Sequence, residues 1–144
     1  MIDNGTVVKS TIKNINMQPR SFTIAGEPLP LMRARYNRVS VYDPQKTAKL
    51  VIGITISNQN NNKPPILGPV ILDITFFMPI PKSKKKKIKP GDPHIIKPDI
   101  SNLIKLYEDV SSGIIFKDDC QITQILARKI YDINPRTEFK VIPL

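Results

Sequence analysis

The 144-residue sequence contains one cysteine, Cys120, one histidine, His94, and no tryptophan. A lone cysteine cannot close an internal disulfide, which excludes the stapled frameworks of small secreted domains. His94 lies among prolines in a basic stretch and not beside Cys120, so a Cys-His nucleophile pair has no support. No Cys and His spacing suits zinc, and no glycine-rich phosphate loop is present. Cys120 is read as a small packing residue. No apolar run approaches the roughly 18 residues of a spanning helix, and the start "MIDNGTVVKSTIKN" lacks a signal peptide's apolar centre. A soluble, intracellular, cytoplasmic protein with no membrane partner is expected. The absence of tryptophan and the scattering of tyrosine and phenylalanine disfavour a stacking platform for single-stranded RNA.

Acids are also scarce, with 12 Asp and Glu against 22 Lys and Arg, a formal charge of +10. That balance favours an anionic partner such as nucleic acid. The length fits one domain with a real core, spanning 1–144.

Along the chain, residues 1–20 are polar and weakly patterned, a loosely held arm. "SFTIAGEPLPL" reads as a strand entering a proline-rich turn, and "MRARYNRVSVY" alternates enough to be another. Asp43 and Pro44 form a helix start, predicting a helix over about 44–58, although "LVIGITI" is rich enough in β-branched residues to be a strand. "PVILDITFFMP" reads as a central strand buried on both faces. Asp73 interrupts it, and its charge is expected to be satisfied locally.

Residues 82–97 form a basic loop with seven lysines and a single acid. Such a block is either a solvated insertion or a clamp that tracks phosphates by releasing counterions, and the segment after it favours the clamp. Pro98 pushes Lys97 toward an extended conformation. Leu103, Ile104, Leu106, Tyr107 and Val110 then recur at helical spacing and Gly113 is a stop, which predicts a helix over about 101–112. Asp99 or Ser101 is placed to cap it, and Asp109, four after Lys105, to form a helix-surface pair. After "GIIF" come the adjacent Asp118 and Asp119, then "CQITQILARKIY", which alternates like a strand. Neighbouring carboxylates in a plain turn repel at little benefit. A divalent cation changes that balance, because Mg²⁺ is held by one or two acids with several waters retained. Asp99 packed beside the Asp118–Asp119 turn would make a metal cage.

"KPDISNLIK" followed by "DVSSGIIFKDDCQI" closely resembles the RusA family of Holliday junction resolvases, with its pattern K-P-D-x-D-N-L-x-K, then D-A-L-x-G, then D-D-x-Q-I. "RARYNRVSVYDPQKT" is similar, more loosely, to the family's R-P-R segment and Y-x-P turn. The resemblance implies a small α+β protein with a mixed sheet and about two main helices, acting as a homodimer. It implies binding of four-way DNA junctions and paired phosphodiester cuts using Mg²⁺, or Mn²⁺ in its place. It also implies work in DNA recombination and repair, at the nucleoid of a host or from a phage or prophage gene.

Carried over by position, the family's site falls on Asp99, Asp118 and Asp119 as metal ligands, with Asp99, Asp119 and Lys105 catalytic. The motif's second acid falls on Ser101. Three accounts of Ser101 stand: an inactivating change in a protein that still binds junctions, a subfamily variant whose hydroxyl holds a metal-bound water, or an introduced substitution. Glu108 and Asp109 lie about two helical turns from it, roughly 10 Å, too far to replace it directly. The backbone-gripping cations are Lys82, Lys84, Lys85, Lys86, Lys87, Lys89 and Lys97, with Arg33, Arg35 and Arg38 as helpers. The alternative function is a catalytically impaired relative that binds junctions or other nucleic acid.

Overall fold

The computed structural model describes residues 18–144. Residues 1–17 of the expected N-terminal arm lie outside the described residues. The remainder of that arm does not match expectation, because Arg20 is buried and opens strand β1 (Arg20–Ala25). Its guanidinium donates to Asn60 Oδ1 at 3.2 Å and to the Pro64 carbonyl at 2.9 Å, satisfying a charge that would otherwise be costly to bury.

The stretch expected as one strand before the first helix is a small hairpin instead, with β2 (Arg35–Tyr36) paired antiparallel to β3 (Val41–Tyr42). Asn37 makes the reversal, its Oδ1 accepting from the Val39 and Ser40 amides. Helix α1 (Lys46–Gln59) follows, helical despite its β-branched content because Ile52 and Ile56, four apart, both reach the core. Then come β4 (Val70–Pro79), α2 (Ile100–Ser111), β5 (Ile122–Asp132) and β6 (Arg136–Pro143).

Four strands form one mixed sheet in the order β1-β6-β4-β5, with β4 and β5 parallel and the other neighbours antiparallel. A parallel pair needs a long crossover, and here the crossover is the lysine loop plus α2. That connection lays α2 on one face of the sheet. Tyr107 of α2 sits 5.7 Å from the Phe76 ring and 6.1 Å from the Phe139 ring, and its hydroxyl meets Thr137 Oγ1 at 2.8 Å.

β4 is central but not buried on both faces. Val70, Leu72, Ile74, Phe76 and Met78 are buried under the helices, while the alternate residues are half-buried on a face that no helix of the described residues covers. Asp73 sits on that open face, where Arg128 of β5 meets its carboxylate at 3.3 Å. The sheet is therefore buried on one side and open on the other, where polar residues such as Asp73, Thr75 and Arg128 stand among apolar ones.

The lysine loop is built into this frame. After a single helical turn at Lys82–Lys84, Ile88 packs against the core, and Asp92 caps the Lys89 amide at 2.9 Å. The chain then pairs with the outer edge of β5, through Gly91 N to Tyr131 O at 2.8 Å and His94 N to Lys129 O at 3.0 Å.

Candidate active site

Asp99 is the N-cap residue of α2. Its carbonyl accepts from the Asn102 and Leu103 amides at 3.1 and 3.2 Å, but its carboxylate makes no capping bond and remains exposed. The capping role open to it from the sequence is not used. Ser101 and Lys105 lie one turn apart on the exposed face of the same helix. Lys105 does not pair with Asp109. Asp109 belongs instead to Lys49 of α1, at 3.2 Å, and Lys49 also holds Asp43 at 2.7 Å.

Beyond α2, Gly113 takes a φ of +85°, a left-handed conformation that glycine adopts freely, and the chain turns back. Ile115 and Phe116 plug into the core, and a short helical turn (Asp119–Gln121) leads into β5. Gln121 fastens this turn with four hydrogen bonds. Its Oε1 accepts from the Lys117 and Asp118 amides at 2.8 and 3.1 Å, and its Nε2 donates to the Ile66 and Gly68 carbonyls, both at 2.9 Å. The motif glutamine thus ties the acidic turn to the loop before β4, a positioning role that the sequence pattern contained but did not explain.

The two acids of the pair differ. Asp118 caps the turn, its Oδ1 accepting from the Cys120 amide at 3.0 Å. That hydrogen bond, followed by the one shared with Asp119, holds the Asp118 carboxyl below its usual range. A plain structural role therefore does account for Asp118. Asp119 is pushed up, first by its hydrogen bond with Asp118, then by desolvation and by the charges of Asp118 and Asp109. Glu108 is also raised, by burial first and by the Asp119 charge second, with Lys105 opposing. Glu108, set aside in the sequence as too far from Ser101, thus lies within the field of Asp119. Cys120 is exposed and not a packing residue, because the turn spends it on backbone geometry.

Among the described residues, no three His, Cys, Asp or Glu side chains stand together in a way that would hold a metal ion. The expected cage of Asp99, Asp118 and Asp119 is not assembled here. Asp99 and Glu108 are nine residues apart on α2, roughly 13 Å along its axis, and it is Glu108 that shares a field with Asp119.

Most other acids have structural partners. Asp43, Asp73, Asp109, Asp132 and Glu138 form ion pairs, Asp92 caps the lysine loop and Asp118 caps its turn. Asp99, Glu108 and Asp119 have no such partner among the described residues and lie on α2 or the turn that follows it; Glu27, in the loop after β1, has none either. The ten cations assigned to DNA, from Arg33 to Lys97, are all exposed and none is in an ion pair among the described residues. No helix of the described residues is long and apolar enough to cross a membrane.

Comparison with known proteins matches residues 25–142 to the family described as Endodeoxyribonuclease RusA. The chain is also similar to the uncharacterized protein YqaN of Bacillus subtilis (strain 168), with 31% identity over 133 residues, covering 83% of this chain and 93% of YqaN. The family match takes in α1, the whole crossover with its lysine loop and α2, and the acidic turn. The chain belongs to the RusA endodeoxyribonuclease family.

Proposed function

We propose that the protein is a divalent-metal-dependent endodeoxyribonuclease that resolves four-way DNA junctions by paired phosphodiester hydrolysis, in recombination and repair. The observation that carries this reading is that three of the four described acids without an ion pair or capping role, Asp99, Glu108 and Asp119, lie on one helix and its following turn in a chain of net charge +10. The exposed cations attract the polyanion, and the acids offer oxygen ligands to a metal that acts on it.

The acidic turn fits a hard cation. Mg²⁺ is held by one or two carboxylates, with waters and phosphate oxygens completing its shell. Asp118 and Asp119 are adjacent and exposed, and Asp118 opposes the ionisation of Asp119, a penalty that a cation removes. Asp119 and Asp118 would hold the ion; Asp99, the third acid of the family pattern, does not form a metal-holding group with them among the described residues, and Mn²⁺ suits the same oxygens. Bound there, the ion supplies Lewis acidity at the scissile phosphate and lowers the pKa of its water.

The chain's own residues do the rest. Lys105, exposed and in no ion pair among the described residues, would face a phosphate or leaving oxygen. Gln121 fixes the angle at which the Asp pair is presented. Lys82, Lys84, Lys85, Lys86, Lys87, Lys89 and Lys97, with Arg33, Arg35 and Arg38, hold backbone phosphates without reading bases. Ser101 offers a neutral hydroxyl where the family pattern has an acid, so cleavage is slower than in a Ser101→Asp variant. A homodimer suits a two-fold symmetric substrate, since it presents two sites to two strands.

A second reading, a junction-binding relative with impaired cleavage, is favoured by Ser101 alone. The test is cleavage of a labelled synthetic four-way junction, beside matched duplex, in Mg²⁺ or EDTA. Metal-dependent paired cuts are expected, lost in Asp119→Asn while junction binding persists. Binding with cuts only in Ser101→Asp establishes the second reading, and a monomer by light scattering with junction bound removes the dimer.

A further inference from the structure

A cleft of about 590 Å³ lies between the 94–100 segment and β5, with Asp99 on its wall. Lys97 and Asp99 of the family motif line it, together with His94 and Lys129, which the motif does not include. His94, the only histidine of the chain, is 8% exposed, and its Nδ1 has no hydrogen-bond partner among the described residues. The ring is fixed from two sides: its own amide bonds to the Lys129 carbonyl at 3.0 Å, and the imidazole lies 4.7 Å from the Tyr131 ring. Nδ1 is shut in by protein, which leaves Nε2, neither enclosed nor hydrogen-bonded among the described residues, as the ring nitrogen open to a partner from the cleft.

The charges beside it say which kind. Lys129 Nζ donates to the Ile96 and Pro98 carbonyls at 2.7 and 2.6 Å, so one of its three N–H groups stays free. Lys97 is exposed on the same wall. Arg128 also borders the cleft, with its Nη1 held by Asp73 and Thr75 on the open face of the sheet. Burial, then the Lys129 charge, holds the His94 pKa below its ordinary value, so the ring is neutral at pH 7 and offers an N–H without a counter-ion. Two ammonium groups oppose a cation here, and Asp99 is the one acid among the lining residues. The occupant that fits is an anion.

We propose that this cleft seats a DNA backbone phosphate next to the one that is cleaved, with His94, Lys97 and Lys129 as its contacts. The proposal rests on the nuclease reading above, and it makes His94 a substrate-touching residue that no motif assigns. A phosphate oxygen accepts from the imidazole N–H and from the free Lys129 N–H, and Lys97 adds charge at the rim. Because the 91–94 segment is hydrogen-bonded to β5, these groups are held ready before DNA arrives.

A single histidine makes the test direct. Tag-free protein with ¹⁵N-labelled histidine is titrated with a four-way junction in EDTA, so that nothing is cut, and long-range ¹H–¹⁵N spectra follow the imidazole. The ring nitrogens are expected to shift with the same saturation as junction binding measured by anisotropy. An imidazole that does not move while the protein is saturated overturns the proposal and leaves the nuclease reading intact; no junction binding at all removes both. A second arm excludes an indirect shift. Junctions with one neutral methylphosphonate at each position flanking the cut are compared, and one position is expected to weaken binding roughly three- to tenfold. That loss disappears in His94→Phe and in Lys97→Ala, the latter an exposed change that spares the fold. The same loss in both variants as in the unmodified protein overturns the assignment.

Discussion

Replacing Gln121 by alanine separates the two tasks of the acidic turn, being folded and being aimed. The side chain makes four hydrogen bonds, two from the Lys117 and Asp118 amides and two to the Ile66 and Gly68 carbonyls. Each is worth about 0.5–1.5 kcal/mol net. Some of these groups are exposed and water replaces part of what is lost, so the expected cost is about 2–3 kcal/mol. For a chain of this length that lowers Tm by roughly 6–12 °C. The fold should survive, since the core contributed by β4, α2 and β6 is untouched. Cleavage should fall further than stability. With the tie to the loop before β4 gone, Asp118 and Asp119 swing with the turn, and misplacing catalytic groups by about 1 Å costs on the order of 10²-fold. The assay is junction cleavage at 25 °C, where the variant is still folded, paired with thermal unfolding by circular dichroism. A Tm within about 2 °C of the parent together with an unchanged rate would show that the turn holds itself, and would refute the positioning role.

Three further outcomes are expected. Tyr107→Phe leaves the fully buried Thr137 hydroxyl without its partner and should cost about 1–3 kcal/mol in urea unfolding, with junction binding unchanged; a cost under about 0.5 kcal/mol means that another group takes up the hydroxyl. Glu108 has a raised pKa in the fold, so the folded chain holds that proton more tightly than the unfolded one, and this contribution is present below the ordinary Glu range and lost as pH rises through the raised value. Glu108→Gln should therefore raise Tm at pH 7, by about 2 °C, and lose that gain by pH 4, whereas an equal gain at both pH values would point to packing instead. Charge reversal of Lys84–Lys87 should weaken junction binding and flatten its dependence on salt, since each lost phosphate contact lowers the slope by about 0.9; an unchanged slope takes the loop out of the interface.

Much of this was legible in the sequence because it depends on neighbours in the chain. The 3.6-residue recurrence of Leu103, Leu106, Tyr107 and Val110 marks α2 wherever it packs, and Gly113 marks its end. The motif acids, the lysine run and the net charge are visible as written. The hairpin at 35–42 was not, because two strands of two residues leave almost no alternation to read. The burial of β4 on one face only was hidden as well. Ile71 and Phe77 are apolar yet lie on the open side, and residue type alone does not say which face a helix will cover.

The sequence by itself determined which chemistry is available: a basic chain, few acids, and a run of them beside α2. Only the tertiary structure decided which acids are free. Lys49 comes from a different helix to take Asp109, the helical turn at 119–121 takes Asp118 as its cap, and the Asp99 carboxylate is left without a capping bond. It also decided that His94, written among prolines and lysines, is buried against Tyr131 beside Asp99 and not spread out in solvent. The physical reason is the parallel pairing of β4 and β5. That pairing forces a long crossover, and the crossover folds the lysine loop and α2 back onto one edge and one face of the same sheet.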